Sequence, residues 1–75
     1  MVGRLDQAIR AGLPEAEIVV RALSPGHFEI EVVSAGFEGL SRVKQQQAVY
    51  TTIKHLMAGD AAPVHAIDRM VTRTP

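Results

Sequence analysis

The run Phe28-Glu29-Ile30-Glu31-Val32 alternates apolar and acidic side chains without a break, directly after Ser24-Pro25-Gly26. Alternation at period two marks a strand with one face in a core and the other in water, so the fold must cover one side of a sheet and leave the other wet. A β-branched run, Ile18-Val19-Val20, lies on the other side of the Ser-Pro-Gly stretch. Proline presets φ and glycine accepts positive φ, so a strand over residues 16–23 and a second from His27 read as a hairpin.

The cover has to come from the flanking segments. Val2, Leu5 and Ile9 recur at helical spacing with Arg4, Asp6, Gln7 and Arg10 between them, and Gly12 and Pro14 close the run. This predicts a short amphipathic helix ending near Ala11. Residues 34–40 carry Gly36 and Gly39 and read as a loop, with Ser41 as N-cap of the next helical segment. Val43, Val49, Ile53, Leu56 and Met57 form one apolar stripe, but Lys44-Gln45-Gln46-Gln47 interrupts it. The spacing therefore predicts two short helices or one kinked helix, ended by Gly59. After Asp60-Ala61-Ala62-Pro63 comes a last strand from Val64 to about Thr72. In it Ile67 and Met70 are three apart, and a bulge near Asp68 or Arg69 reconciles them with one face.

The predicted order is helix, strand, strand, helix, helix, strand: an α+β domain, a three-stranded mixed sheet with helices on one face. Strands joined through helical sequence usually run parallel and often lie side by side, which brings their starting ends together. His27 and His65 stand just before the apolar parts of two such strands, so two imidazoles can meet at one edge and share a metal.

A chain of 75 residues with eight basic and eight acidic groups is one domain, 1–75, burying only about 60–65% of its surface, which leaves little room for a deep enzyme pocket. Zero formal net charge gives no global field toward nucleic acid or an anionic membrane. The lack of cysteine removes disulfides and thiolate ligands, and no apolar run approaches a membrane span or signal peptide. The expectation is a soluble, cytoplasmic, non-enzymatic protein. Glu29 and Glu31 share a strand face, but no nucleophile or acidic partner converges on them.

The segments Gly26-His27-Phe28-Glu29-Ile30-Glu31-Val32-Val33-Ser34, Phe37-Glu38-Gly39-Leu40-Ser41-Arg42-Val43-Lys44 with the glutamines and Val49-Tyr50 after it, Val64-His65-Ala66-Ile67 and the terminal Thr74-Pro75 resemble the BolA family, most closely its bacterial IbaG-like branch. The resemblance implies a fold like a type II KH domain. It also implies a heterodimer with a monothiol glutaredoxin, the two sharing a [2Fe-2S] cluster to which the glutaredoxin and glutathione supply thiolates and the BolA-like protein supplies histidine. His65 occupies the family's invariant histidine position. Many members carry the second ligand, histidine or cysteine, in a longer loop before the second strand. Here that loop is only Ser24-Pro25-Gly26, and His27 is the nearest candidate. A second departure is one extra residue between Ile67 and the Thr-Arg-Thr-Pro end.

Each candidate has a plainer reading beside it. His65 is either a strand-end histidine satisfied by a backbone carbonyl or, as the resemblance implies, the main ligand, since neutral imidazole is the best iron donor in a chain without cysteine. His55 reads as a solvated helix residue, and Phe28 and Tyr50 as core or core-edge packing. The resemblance also implies transcriptional regulation in stress responses. In a helix-turn-helix reading Arg42 and Lys44 contact phosphates and Gln45, Gln46 and Gln47 read adenine edges, with Lys54, Arg69 and Arg73 adding basic surface. The plainer alternative is a set of exposed glutamines beside a partner surface. A pure interaction module, homodimerisation through an exposed strand edge, and the choice between cluster trafficking and iron sensing all stay open at this level.

Overall fold

In the computed structural model, which describes residues 1–59 and 62–75, the alternating run becomes the middle strand of the sheet. Strand β1 (Glu17–Ser24) pairs antiparallel with β2 (His27–Val33), and β3 (Ala66–Arg73) lies parallel on the other side of β2. The alternation is kept residue by residue: Phe28, Ile30 and Val32 are buried, while His27, Glu29 and Glu31 face the other way and are half-buried. Pro25 and Gly26 make the hairpin turn, closed by the Ser24–His27 pair, and Gly26 takes φ of +77°, the left-handed conformation that glycine adopts at least cost.

Helix α1 (Val2–Gly12) and helix α2 (Arg42–Met57) form a single covering layer. Leu5 and Ile9 from α1, and Val49, Ile53 and Leu56 from α2, join the three β2 side chains, Phe37 and Val64 in one core. Fully burying an aliphatic side chain of this size contributes about 1.5–3 kcal/mol, so the one-sided apolar face of β2 dictates where both helices lie. The α1 end is tight against α2: a Cβ on Gly12 would meet Thr52 Cγ2 at 2.5 Å.

The α+β class, the mixed three-stranded sheet and the hairpin follow the sequence reading. So does the bulge: Phe28 pairs with Ile67 and Glu29 with Arg69, which leaves Asp68 as the extra residue. Ser41 is the N-cap of α2, its hydroxyl accepting from the Lys44 N–H at 3.3 Å. The helical arrangement differs in one respect. Segment 42–57 is one helix, preceded by a single 3-10 turn at Ala35–Phe37, instead of two helices or a kinked one. The polar stretch does not break the helix because Gln46 takes a position on the buried stripe, three residues before Val49, and its side-chain amide donates to the Met70 carbonyl at 3.3 Å. Val43, 63% exposed, is off the stripe.

Two aromatic placements differ as well. Phe37, in what reads as a loop, is a core residue, while Tyr50 is 37% exposed, because it sits one helical step past Val49 and outside the covered face. The last strand begins at Ala66, with Val64 buried ahead of it. Of the predicted connection 60–63, Asp60 and Ala61 lie outside the described residues.

Candidate functional site

The parallel β2–β3 pairing brings both strand starts to one corner of the sheet, and with them His27 and His65. The corner is built on Gly26. Its carbonyl accepts from the His65 N–H at 2.8 Å and from the Ala66 N–H at 3.0 Å, so the hairpin turn clamps the chain where it enters β3. The His65 ring then lies across the turn: a Cβ on Gly26 would meet His65 Cδ2 at 2.4 Å and Cγ at 2.9 Å. A side chain at position 26 and this placement of the imidazole are mutually exclusive.

His65 is exposed, and it is its backbone that the carbonyl satisfies. Among the described residues the ring makes no hydrogen bond to protein, so both imidazole nitrogens are open to a partner. His27 is held differently. Its Nδ1 lies 3.0 Å from Asp68 Oδ1, with the two side chains 42% and 44% exposed. A carboxylate only accepts, so in the neutral ring Nδ1 carries the proton and Nε2 the free lone pair. Sequence spacing alone points to neither Asp68 nor Gly26 as part of the site. Their signals in the sequence are the extra residue of β3 and the glycine of the turn.

The chemistry of this donor set can be weighed against the iron–sulfur cluster implied by the resemblance. Clusters are held chiefly by thiolates, with histidine replacing cysteine at some iron atoms. The chain has no cysteine, and among the described residues no group of three or more His, Cys, Asp or Glu could hold a metal. An exposed His65 and a half-buried His27 at one corner fit the histidine share of such a cluster and require that all thiolates come from elsewhere.

The residues of the nucleic-acid reading are divided between helix α2 and strand β3. Arg42 and Lys44 are exposed on the first turn of α2, but the amides of Gln45 and Gln46 are already donated, to the Leu40 carbonyl at 3.0 Å and the Met70 carbonyl at 3.3 Å. Arg69 and Arg73 do not extend that basic surface. They belong to the uncovered face of the sheet, close enough to Glu31 to help lower its pKa. The main cause of that lowering is Arg21, whose Nη1 reaches Glu31 at 2.8 Å and Glu29 at 3.1 Å. On this face opposite charges alternate, with Arg21 bridging Glu29 and Glu31. His55 is exposed in the last turn of α2, where a histidine meets the negative end of the helix dipole.

A second polar cluster supports the connection into α2. The Ser34 hydroxyl donates to the Glu15 carboxylate and accepts from the Gly36 N–H at 3.0 Å. The bond from Ser34 holds the Glu15 carboxyl below its ordinary range. Ser34 is fully buried, so this arrangement fixes the 3-10 turn and seats Phe37 in the core.

The family model for BolA-like proteins matches residues 14–75. A protein of Acinetobacter guillouiae, described as an uncharacterized protein in the rpoN-murA intergenic region, is 34% identical over 64 residues, covering 85% of this chain and 74% of that protein. BolA-like protein 1 of Bos taurus is 34% identical over 88 residues, and the chain spans 62% of its length. Among solved structures, BolA1 from Arabidopsis thaliana superposes with a TM-score of 0.83 at 28% identity, covering 99% of this chain and 90% of the other. A BolA homologue from Coxiella burnetii gives 0.80 at 28% identity, covering 100% and 91%.

Proposed function

This chain belongs to the BolA-like family, and on that premise we propose that it is a non-enzymatic iron–sulfur accessory protein of the cytoplasm. In this reading it pairs with a monothiol glutaredoxin and completes a shared [2Fe-2S] cluster, serving cluster trafficking or iron sensing. The observation that carries the reading is His65: an exposed imidazole with both nitrogens unengaged among the described residues, on a residue whose backbone N–H is held by the Gly26 carbonyl at the entry to β3. His65 is the principal ligand and His27 the second candidate, while the glutaredoxin and glutathione supply sulfur.

When bound, the cluster supplies one-electron redox chemistry and transferable iron, and imidazole ligation raises its potential relative to an all-thiolate one. The chain's own residues have a narrower task. Gly26 leaves space for the His65 ring, the backbone clamp sets where that ring begins, and Asp68 engages one nitrogen of His27. The nucleic-acid reading has less structural support, because Gln45 and Gln46 each direct an amide N–H to a backbone carbonyl.

The test is anaerobic co-expression with a monothiol glutaredoxin in the presence of glutathione, with visible absorption and circular dichroism recorded beside the His65→Ala variant. A heteromeric cluster spectrum that changes in the variant is the expected result. A spectrum identical in both proteins would remove His65 from the ligand set, and the absence of any complex would refute the proposal.

A further inference from the structure

The bulge in β3 has a chemical effect at the histidine corner. Without an extra residue, position 68 would continue the ladder opposite Glu29, setting two carboxylates side by side on the outer face. Cross-strand neighbours of like charge are destabilising. With the bulge, Arg69 takes the place opposite Glu29, and Asp68 is lifted out of the ladder toward the strand start, where its carboxylate meets His27.

We propose that Asp68 is a positioning residue for His27: it accepts the Nδ1 proton, fixes the ring, and presents Nε2 outward as the second nitrogen donor of the corner. Two features support this. The contact is made at Nδ1 at 3.0 Å, and a carboxylate on that nitrogen leaves the Nε2 lone pair as the donor. Metal-ligating histidines almost always give their other ring N–H to a carboxylate, carbonyl or water, which fixes the tautomer and raises ligand basicity. The two histidines of the corner are thus prepared by different means, His65 by the space above Gly26 and His27 by a carboxylate carried on an inserted residue. The short Ser24-Pro25-Gly26 turn has no side chain to serve as a second ligand from the loop. The bulge compensates by recruiting the residue directly after the turn.

The identity of the acceptor rests on the iron–sulfur reading, but the orientation of His27 does not, and the experiment separates them. In the free chain labelled with 15N, long-range proton–nitrogen correlations in alkaline buffer report the tautomer of each neutral histidine. His27 is expected as the Nδ1–H form in the wild type and as a mixture richer in Nε2–H in Asp68→Ala, with the amide fingerprint otherwise unchanged. A wild-type His27 in the Nε2–H form, or a tautomer indifferent to Asp68→Ala, overturns the proposal. In the reduced glutaredoxin complex prepared with 15N-histidine in this chain, pulsed electron paramagnetic resonance is expected to show two coupled imidazole nitrogens, one in His27→Ala, and in Asp68→Ala a weakened second coupling. Asp68→Ala is also expected to lower iron affinity about 10-fold. A single coupling untouched by His27→Ala overturns the donor role of His27 while leaving the iron–sulfur function standing. Failure of the wild type to assemble a cluster refutes that function instead, and the tautomer then decides the role of Asp68.

Discussion

Replacing Gly26 by alanine should damage the fold and the site through one atom. The residue sits at φ of +77°, and the added Cβ would come within 2.4 Å of His65 Cδ2. The left-handed conformation costs an L-residue about 1–2 kcal/mol, and driving the His65 ring off its rotamer adds about 0.5–1.5 kcal/mol. Alanine recovers about 0.4–1 kcal/mol by restricting the unfolded chain. The net loss is then about 2 kcal/mol, which for a domain of this size lowers Tm by on the order of 10 °C. A double-mutant cycle isolates the steric part. His65→Ala alone touches an exposed ring and should cost little, but in that background Gly26→Ala should be milder by about 1 kcal/mol, because the atom it would strike is gone. The assay is urea denaturation of the four proteins, with the His65 ring resonances followed by NMR in Gly26→Ala. Strictly additive effects, or a His65 ring whose resonances do not move, would show that the turn does not set the imidazole's position.

The packing and the charges lead to three more expected outcomes. Ile53→Ala removes a fully buried side chain and should cost about 2–5 kcal/mol, whereas Val43→Ala, at an exposed position of the same helix, should stay within about 0.5 kcal/mol; comparable losses in urea denaturation would mean that α2 presents a different face. Thr72 is buried with its Oγ1 unpartnered among the described residues, so Thr72→Val should be neutral or stabilising by about 1 kcal/mol in the same assay, and a clear loss would reveal a partner for the hydroxyl. The carboxyls of Glu15 and Glu31 are held below their ordinary range, by Ser34 and Arg21 respectively. Because the folded-state values are the depressed ones, their stabilisation is complete above the ordinary Glu value of about 4.3 and is lost as pH falls through the folded-state values. Ser34→Ala should flatten the acid limb of a plot of urea midpoint against pH, and an unchanged slope would detach Glu15 from that limb.

The features legible in the sequence are those decided locally. The period-two run, the Pro-Gly turn, the Ser41 cap and the misfit between Ile67 and Met70 each announce themselves within a few residues, and together they imply the topology that gathers His27 and His65. The features that stay hidden depend on partners distant in sequence. Gln46 looks like an interruption of the apolar stripe until the Met70 carbonyl is placed beside it, and without that contact a kinked helix is the reasonable reading. Phe37 looks like part of a loop until Ser34 and Glu15 fix the turn that buries it. The bulge is legible as a misfit of period, but the meeting of its carboxylate with His27 is a consequence of register, which no local pattern encodes.

The order in which contacts can form gives the histidine corner a temporal property. The hairpin of β1 and β2 closes through a two-residue turn, but β3 reaches β2 only after the whole of α2 has intervened. Closing so long a segment costs entropy before any pairing compensates for it, so non-local parallel strands join late. His27 is therefore set on its hairpin early, while His65 and Asp68 arrive with the last strand. A partly folded or frayed chain presents one imidazole without its neighbour or its carboxylate, and a partner that needs the assembled corner would engage only chains that have finished folding.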